Sequence, residues 1–284
     1  MSANGARFHV ASMGRGPLVL LVHGCPEFWW AWRDQLPAVA AAGYHAVAVD
    51  LRGFGASDKP PAGYDVPTAC DDLAAIVRSL GHDRAAIVGH GLGGWLTWSM
   101  PGLRPEVTAA IVPVGAIHPA VVHGAAWRHP RQWRANRHLR MMEAPFASER
   151  QHLTVARRLR EWSGADHEWL HPEVVARYTE AMAVPFAGQA AAEHLRWFHR
   201  CRATPSGIRY LHRVREAITV PVLHVRGEQD PTFLPALTGE SRRFTKGALQ
   251  TTEVSGVGHF VPEEAPEAMN SLLIPWLAAV HPTT

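Results

Sequence analysis

The chain has 284 residues, 47% of them hydrophobic and 19% charged, and a formal net charge of +3. This composition is that of an ordinary globular protein with a large core, and it excludes a disordered chain. No apolar run reaches the roughly 18 residues of a membrane span, and the first ten residues lack the regions of a signal peptide. We expect a soluble, cytoplasmic protein with no membrane partner, either a monomer or a homodimer.

Cysteine and histidine usage gives no support for a bound metal. The 18 histidines show no His-Glu-x-x-His or similar ligand spacing. Three widely spaced cysteines argue against a disulfide framework and against a zinc site built on cysteine; they are Cys25, Cys70 and Cys201. The sequence therefore predicts a reducing compartment and no cofactor.

A basic cluster at residues 128–140 is the strongest local concentration of charge, and it includes Arg131, Arg134 and Arg137. A nucleic-acid surface combines such a stripe with aromatic side chains, and Trp133 lies within the cluster. The solvated face of an amphipathic helix explains the same residues. We therefore expect no nucleic-acid partner.

Short apolar runs alternate with helical patterns along most of the chain. Runs of Val, Leu, Ile and Ala are typical of strands buried on both faces of a parallel sheet. The predicted strands are residues 17–22, 45–49, 85–88, 107–114, 220–225 and 249–254, and the predicted helices are residues 68–80, 93–103 and 265–280. This alternation predicts an α/β fold with a mostly parallel, doubly wound sheet.

The alternation stops between about residues 118 and 206, where the composition is helical and no strand is evident. A helical insertion after the strand that ends near residue 114 would lie at the carboxyl edge of the sheet, where open α/β folds bind ligands. We predict a core of residues 1–117 and 206–284 that carries a helical lid of residues 118–205.

Five glycine-containing motifs follow the predicted strands. They are the segments His23-Gly24-Cys25-Pro26-Glu27, Asp50-Leu51-Arg52-Gly53, Gly89-His90-Gly91-Leu92-Gly93, Gly227-Glu228-Gln229-Asp230 and Gly256-Val257-Gly258-His259. In this order and context they resemble the α/β-hydrolase superfamily, and most closely its epoxide hydrolases and dehalogenases. The third segment, between an apolar strand and a helix, resembles a nucleophile elbow.

The resemblance implies a role for each residue of the site. Gly91 stands at the nucleophile position, Asp230 and His259 match the acid and base, and the backbone N–H groups of Cys25 and Leu92 match the oxyanion hole. The two side chains, His259 and Asp230, also have plainer interpretations. His259 could cap a loop and Asp230 could stabilise a turn.

Gly91 and the predicted lid depart from the family pattern. Relatives carry Asp or Ser at the elbow, and that side chain forms a covalent intermediate. Glycine has no side chain that could form one. Phe198 stands where epoxide hydrolases place a second lid tyrosine, which leaves Tyr178 as the best lid donor. The predicted substrate-binding residues are Phe28, Trp29, Tyr178, Trp197 and Phe198, although the Trp29 cluster could equally be core packing.

The retained acid and base suggest hydrolysis without a covalent step. Removing the elbow side chain leaves room for a water that His259 could activate as a general base. Relatives with the same motif place the carboxylate matching Glu27 near the hydrolytic water. We expect a small, mostly apolar organic substrate. There are two alternatives: a ligand-binding protein without activity, and an epoxide hydrolase or esterase whose nucleophile was replaced by Gly91. We do not expect the Cys25 thiol to replace the nucleophile, because it would lie on the oxyanion side, far from the elbow.

Overall fold

The computed structural model describes residues 1–128, 130–135 and 151–283. Residues 129 and 136–140 of the predicted basic cluster lie outside the described residues. Within the described ranges, no helix is both long and apolar enough to cross a membrane.

A seven-stranded sheet forms the centre of the chain. Its strands, in chain order, are β3 (Val10–Met13), β4 (Leu18–Val22), β5 (His45–Val49), β6 (Ala85–His90), β7 (Thr108–Val114), β8 (Val222–Gly227) and β9 (Leu249–Val254), preceded by a two-stranded hairpin of β1 (Ser2–Ala3) and β2 (Ala6–Arg7). The spatial order is β3-β5-β4-β6-β7-β8-β9, and only the β3–β5 pair is antiparallel. The chain leaves β4 toward one edge and returns at β6 toward the other, so the switch point lies between them.

Helices cover both faces of the sheet. In chain order the described α-helices are α1 (Gln35–Ala41), α2 (Val66–Ser79), α3 (Leu92–Leu103), α4 (Pro119–Arg128), α5 (Pro130–Ala135), α6 (Gln151–Trp162), α7 (Pro172–Ala183), α8 (Ala187–Arg200), α9 (Pro205–Arg213), α10 (Pro235–Glu240), α11 (Val261–Glu264) and α12 (Pro266–Val280). Short 3₁₀ helices occur at Trp29–Trp32, Pro105–Val107, Cys201–Ala203 and Ser241–Phe244. Helices α4 to α9 follow β7 and precede β8, and we call them the helical insertion.

Side chains of alternate residues on the central strands enter two separate cores. Leu18, Leu20 and Val22 of β4 pack into one core, while Val19 and Leu21 pack into the other. This alternation is the consequence of successive strand side chains pointing to opposite faces. Every residue of β4, β6 and β8 is buried, which explains why their sequences are mostly apolar.

The predicted fold class is confirmed, and each of the six predicted strands is present. The last of them, β9, differs in character from the prediction, because it is an edge strand with polar, exposed residues rather than a strand buried on both faces. The antiparallel strand β3 at the opposite edge was not predicted. Its four residues are exposed or half-buried, so its sequence carries no apolar run that could reveal it.

Candidate active site

Glycines shape the turn that joins β6 to α3. Gly91 adopts φ 52° and ψ −111°, a conformation that residues with a side chain rarely enter. A Cβ on Gly89 would overlap Thr97 Oγ1, and one on Gly93 would overlap the Val22 carbonyl oxygen. The Gly91 N–H donates to the Val114 carbonyl at 3.0 Å. The turn therefore needs small residues on both sides and is tied to the next strand.

The space above Gly91 lies beside the imidazole of His259. A Cβ built on Gly91 would be 3.3 Å from His259 Nε2 and 3.7 Å from Gly24 Cα. His259 follows β9, and its backbone N–H donates to the Trp162 carbonyl of α6 at 2.7 Å. The structure thus brings together two of the predicted residues, and the helical insertion holds one of them.

Asp230 holds the other ring nitrogen of His259. Nδ1 of His259 lies 2.9 Å from Asp230 Oδ2, while the Thr232 N–H and hydroxyl donate to Oδ1 at 2.8 and 2.6 Å. Burial raises the pKa of Asp230, but the interaction with His259 and the hydrogen bonds of His259 and Thr232 outweigh it, so that pKa lies below its usual value. An ionised Asp230 accepts from Nδ1–H, which orients Nε2 of His259 toward Gly91.

A second, buried pair lies behind the turn. His90 Nδ1 lies 2.8 Å from Glu27 Oε2, and His90 Nε2 lies 2.8 Å from the His259 carbonyl oxygen. Burial alone would lower the pKa of His90, but Glu27 outweighs it and raises that pKa to about 9. Both ring nitrogens then donate, so His90 is a cation that ties Glu27 to the backbone of His259. His90 therefore has a structural role behind the turn.

Glu27 is held by the loop that contains Cys25. Its Oε2 also accepts from the Gly24 N–H at 2.7 Å. Burial raises the pKa of Glu27, but charged His90 and the hydrogen bonds from His90 and Gly24 lower it below its usual value. Glu27 is therefore an anion that orients Gly24 and His90.

A cavity of about 30 Å³ lies between Gly91 and the helical insertion, with room for one or two water molecules. Predicted residues at its wall are Cys25, Gly91, Leu92 and His259, and the others are Trp95, Gly115, Arg158, Trp162, Leu195, Thr232 and Phe233. Within the described ranges, the backbone N–H groups of Cys25 and Leu92 have no acceptor. Burial raises the pKa of the Cys25 thiol, which keeps it neutral.

The predicted substrate-binding residues do not line this cavity. The Tyr178 hydroxyl donates to Glu263 Oε1 at 2.7 Å, and Phe198 stacks behind Trp95 with ring centroids 3.9 Å apart. Trp197 packs edge-on against Tyr210, 5.3 Å between ring centroids. All of these rings are held by other side chains of the chain.

Phe28 and Trp29 line a different feature, an open groove of about 330 Å³ on the surface. Asp50 fixes this region because it accepts from the Trp29 N–H at 2.7 Å and from the Ala56 N–H at 2.9 Å. Arg52 makes a buried ion pair with Asp72, in which Nη2 of Arg52 lies 2.6 Å from Oδ1 of Asp72. Both side chains hold the loop after β5.

Sequence reasoning missed the wall that the helical insertion contributes. Arg158 and Trp162 are four residues apart on α6, so they share one helix face, and Trp95 lies on the first turn of α3 directly after Gly91. The i, i+4 spacing was available as a signal, but nothing in the sequence shows which face of a helix meets the sheet. Among the described residues no cluster of three or more His, Cys, Asp or Glu could hold a metal.

A comparison with protein-family models agrees with this geometry. The model for the α/β hydrolase fold matches residues 17–266. The chain therefore belongs to the α/β hydrolase family and is a hydrolase.

Among curated proteins, the chain is 29% identical to the AB hydrolase superfamily protein YfhM of Bacillus subtilis, over 98% of this chain and 96% of that protein. It is 27% identical to epoxide hydrolase 3 of Xenopus tropicalis, over 96% of this chain and 75% of that protein. Among solved structures, epoxide hydrolase A from Mycobacterium thermoresistibile superposes with a TM-score of 0.83 at 24% identity, over 99% of this chain and 98% of that one. The relatives thus include epoxide hydrolases.

Proposed function

We propose that this chain hydrolyses a small organic molecule without a covalent intermediate, with Gly91 at the position where relatives carry the nucleophile. In this mechanism Asp230 orients His259, and Nε2 of His259 takes a proton from water as the water attacks. The N–H groups of Cys25 and Leu92 stabilise the negative charge that develops on the substrate oxygen. The proton passes from His259 to the leaving oxygen, which returns the imidazole to its neutral state.

One observation supports this proposal above the others. The 3.3 Å separation between a Cβ on Gly91 and Nε2 of His259 is the space of one small group, and the cavity there has the size of one or two waters. A water above Gly91 would lie within hydrogen-bond reach of the base. Glycine thus provides the position from which water attacks.

Glu27 acts in this proposal through His90 and Gly24, and not by contact with the attacking water. Its carboxylate bonds to the Gly24 N–H and to His90, and the next residue along the loop, Cys25, supplies one of the oxyanion donors. Glu27 therefore sets the orientation of the loop and of the His259 backbone. We keep residues 118–205 as the lid of this site, because α6 and α8 of the helical insertion supply Arg158, Trp162 and Leu195 to the cavity wall.

Turnover of a substrate panel tests this function. Epoxides, esters, lactones and halogenated compounds are incubated with the unmodified chain and with the His259→Ala variant. We expect at least one class to be hydrolysed and His259→Ala to lose about 10²-fold or more, because general-base catalysis contributes that much. The matched control is His212→Ala, which changes an exposed histidine.

Two results would contradict the proposal. Equal turnover by His259→Ala and the unmodified chain would exclude His259 as the base. An inactive chain that gains epoxide or ester turnover with Gly91→Asp or Gly91→Ser would instead be a disabled covalent hydrolase, and an inactive chain that these changes do not rescue would be a ligand-binding protein.

A further inference from the structure

Arg158 brings a positive charge to the wall of the cavity. It lies on α6, its relative exposure is 9%, and it lines the same cavity as Gly91 and His259. Its guanidinium carbon lies 5.5 Å from the ring centroid of Trp162, and the Trp162 ring packs edge-on against His259 at 5.4 Å. A guanidinium is therefore fixed beside the proposed reaction centre.

The partners of Arg158 among the described residues are all neutral. Nη1 lies 3.7 Å from Cys25 Sγ, and Nη2 donates to Gln151 Oε1 at 3.1 Å and to Thr154 Oγ1 at 3.4 Å. A guanidinium has five N–H donors, so the Nε–H and one Nη1 hydrogen have no acceptor in the described ranges. No carboxylate in the described ranges lies within ion-pair distance of Arg158. Its charge is thus not neutralised by any residue of the described ranges.

We propose that Arg158 binds a carboxylate group of the substrate, an assignment that rests on the hydrolysis proposed for this site. A buried cation without a counter-charge is unfavourable, and a ligand that supplies an anionic oxygen relieves this cost. The Nε–H and the remaining Nη1–H can each donate a charge-assisted hydrogen bond to an anionic oxygen. Arg158 therefore selects an organic acid that bears the bond to be hydrolysed, and excludes purely apolar substrates.

The site is small, so the smallest carboxylates are suitable probes. Among carboxylates, formate and acetate are nearest in size to the cavity of about 30 Å³, and an extended acyl chain is much larger. Formamide and acetamide have nearly the same shapes but no charge. The difference between each acid and its amide isolates the contribution of the guanidinium.

Isothermal titration calorimetry of the full chain with acetate and acetamide tests the assignment. We expect acetate to bind at least about tenfold more tightly than acetamide, and Arg158→Gln to weaken acetate binding about 10- to 100-fold because a charge-assisted pair is lost. Arg158→Lys keeps the charge and should retain part of the preference. The matched control is Arg157→Gln, since the Arg157 side chain on the same helix is 59% exposed.

The outcomes separate this assignment from the proposed function. His259→Ala should abolish turnover and keep acetate binding, whereas Arg158→Gln should lose both acetate binding and the hydrolysis of carboxylate-bearing substrates. Equal affinity of the unmodified chain for acetate and acetamide, or no binding of either, would overturn the assignment. It would also be overturned if Arg158→Gln slowed neutral and anionic substrates equally, because the guanidinium would then act on the reacting oxygen.

Discussion

Replacement of Gly91 by alanine separates the conformational need for glycine from the chemical one. At φ 52° and ψ −111°, a sparsely populated backbone region, an L-residue costs about 1–3 kcal/mol relative to glycine. With an unfolding entropy of about 2.1 cal/mol/K per residue, 284 residues correspond to about 0.6 kcal/mol per kelvin. The strain should therefore lower the melting temperature by about 2–5 °C.

The added methyl group also changes the site. Its carbon would be 3.3 Å from His259 Nε2, so it fills the place proposed for the attacking water. The control is Gly81→Ala, because Gly81 has φ 81° and a Cβ there would have no neighbour within 4 Å. Differential scanning calorimetry should give both variants a similar loss of stability.

Steady-state kinetics should then distinguish the two variants. Gly81→Ala should keep its activity, whereas Gly91→Ala should lose about tenfold or more, since displacement of a reacting group by about 1 Å has effects of this size. Full activity in Gly91→Ala would refute the reasoning, because a water above Gly91 could not then be the attacking group.

Three further predictions concern the side chains around His259. Asp230→Asn should lower turnover by about 10³- to 10⁴-fold with little change in fold, because an amide favours the wrong imidazole tautomer; a loss below tenfold in initial-rate assays would speak against the pair. Thr232→Val removes the hydroxyl that donates to Asp230 Oδ1. Because this hydrogen bond lowers the pKa of Asp230, its loss raises that pKa, and the acid limb of the turnover-pH profile should move to higher pH. An unmoved limb would contradict this. Glu27 raises the pKa of His90 to about 9 in the folded chain. Protonated His90 therefore adds about 3 kcal/mol to the free energy of unfolding below pH 6.5, and this contribution is lost as the pH rises through about 9. Urea unfolding from pH 6 to 9 should show this loss in the unmodified chain and a much smaller one in Glu27→Gln; parallel curves would exclude the pair as its source.

The sequence predicted those parts of the fold that local patterns determine. Apolar runs identified β4, β6 and β8 because each is buried on both faces, and glycine spacing identified the turn at Gly91 because a Cβ at Gly89 or Gly93 would overlap neighbouring atoms. The resemblance to α/β hydrolases implied the pairing of His259 with Asp230, and the two side chains lie 2.9 Å apart.

Contacts between distant segments could not be predicted in the same way. Tyr178 carries a hydroxyl that a substrate could use, yet it is turned toward Glu263, 85 positions away in the sequence. Arg158 resembles the exposed arginines of its own helix in sequence and differs only in what α6 packs against. Tertiary packing decides which face of a helix in the insertion meets the sheet. The i, i+4 spacing on one helix does not determine that face.

Rapid-quench kinetics with intact-protein mass measurement tests the central claim most directly. The best substrate of the panel is mixed with excess protein, and the reaction is stopped within the first turnover. The proposed mechanism predicts product formation with no added mass on the chain, and a first-turnover rate that falls about 10²-fold or more in His259→Ala. A covalent adduct on any residue, Cys25 included, or a first turnover that does not depend on His259, would contradict it.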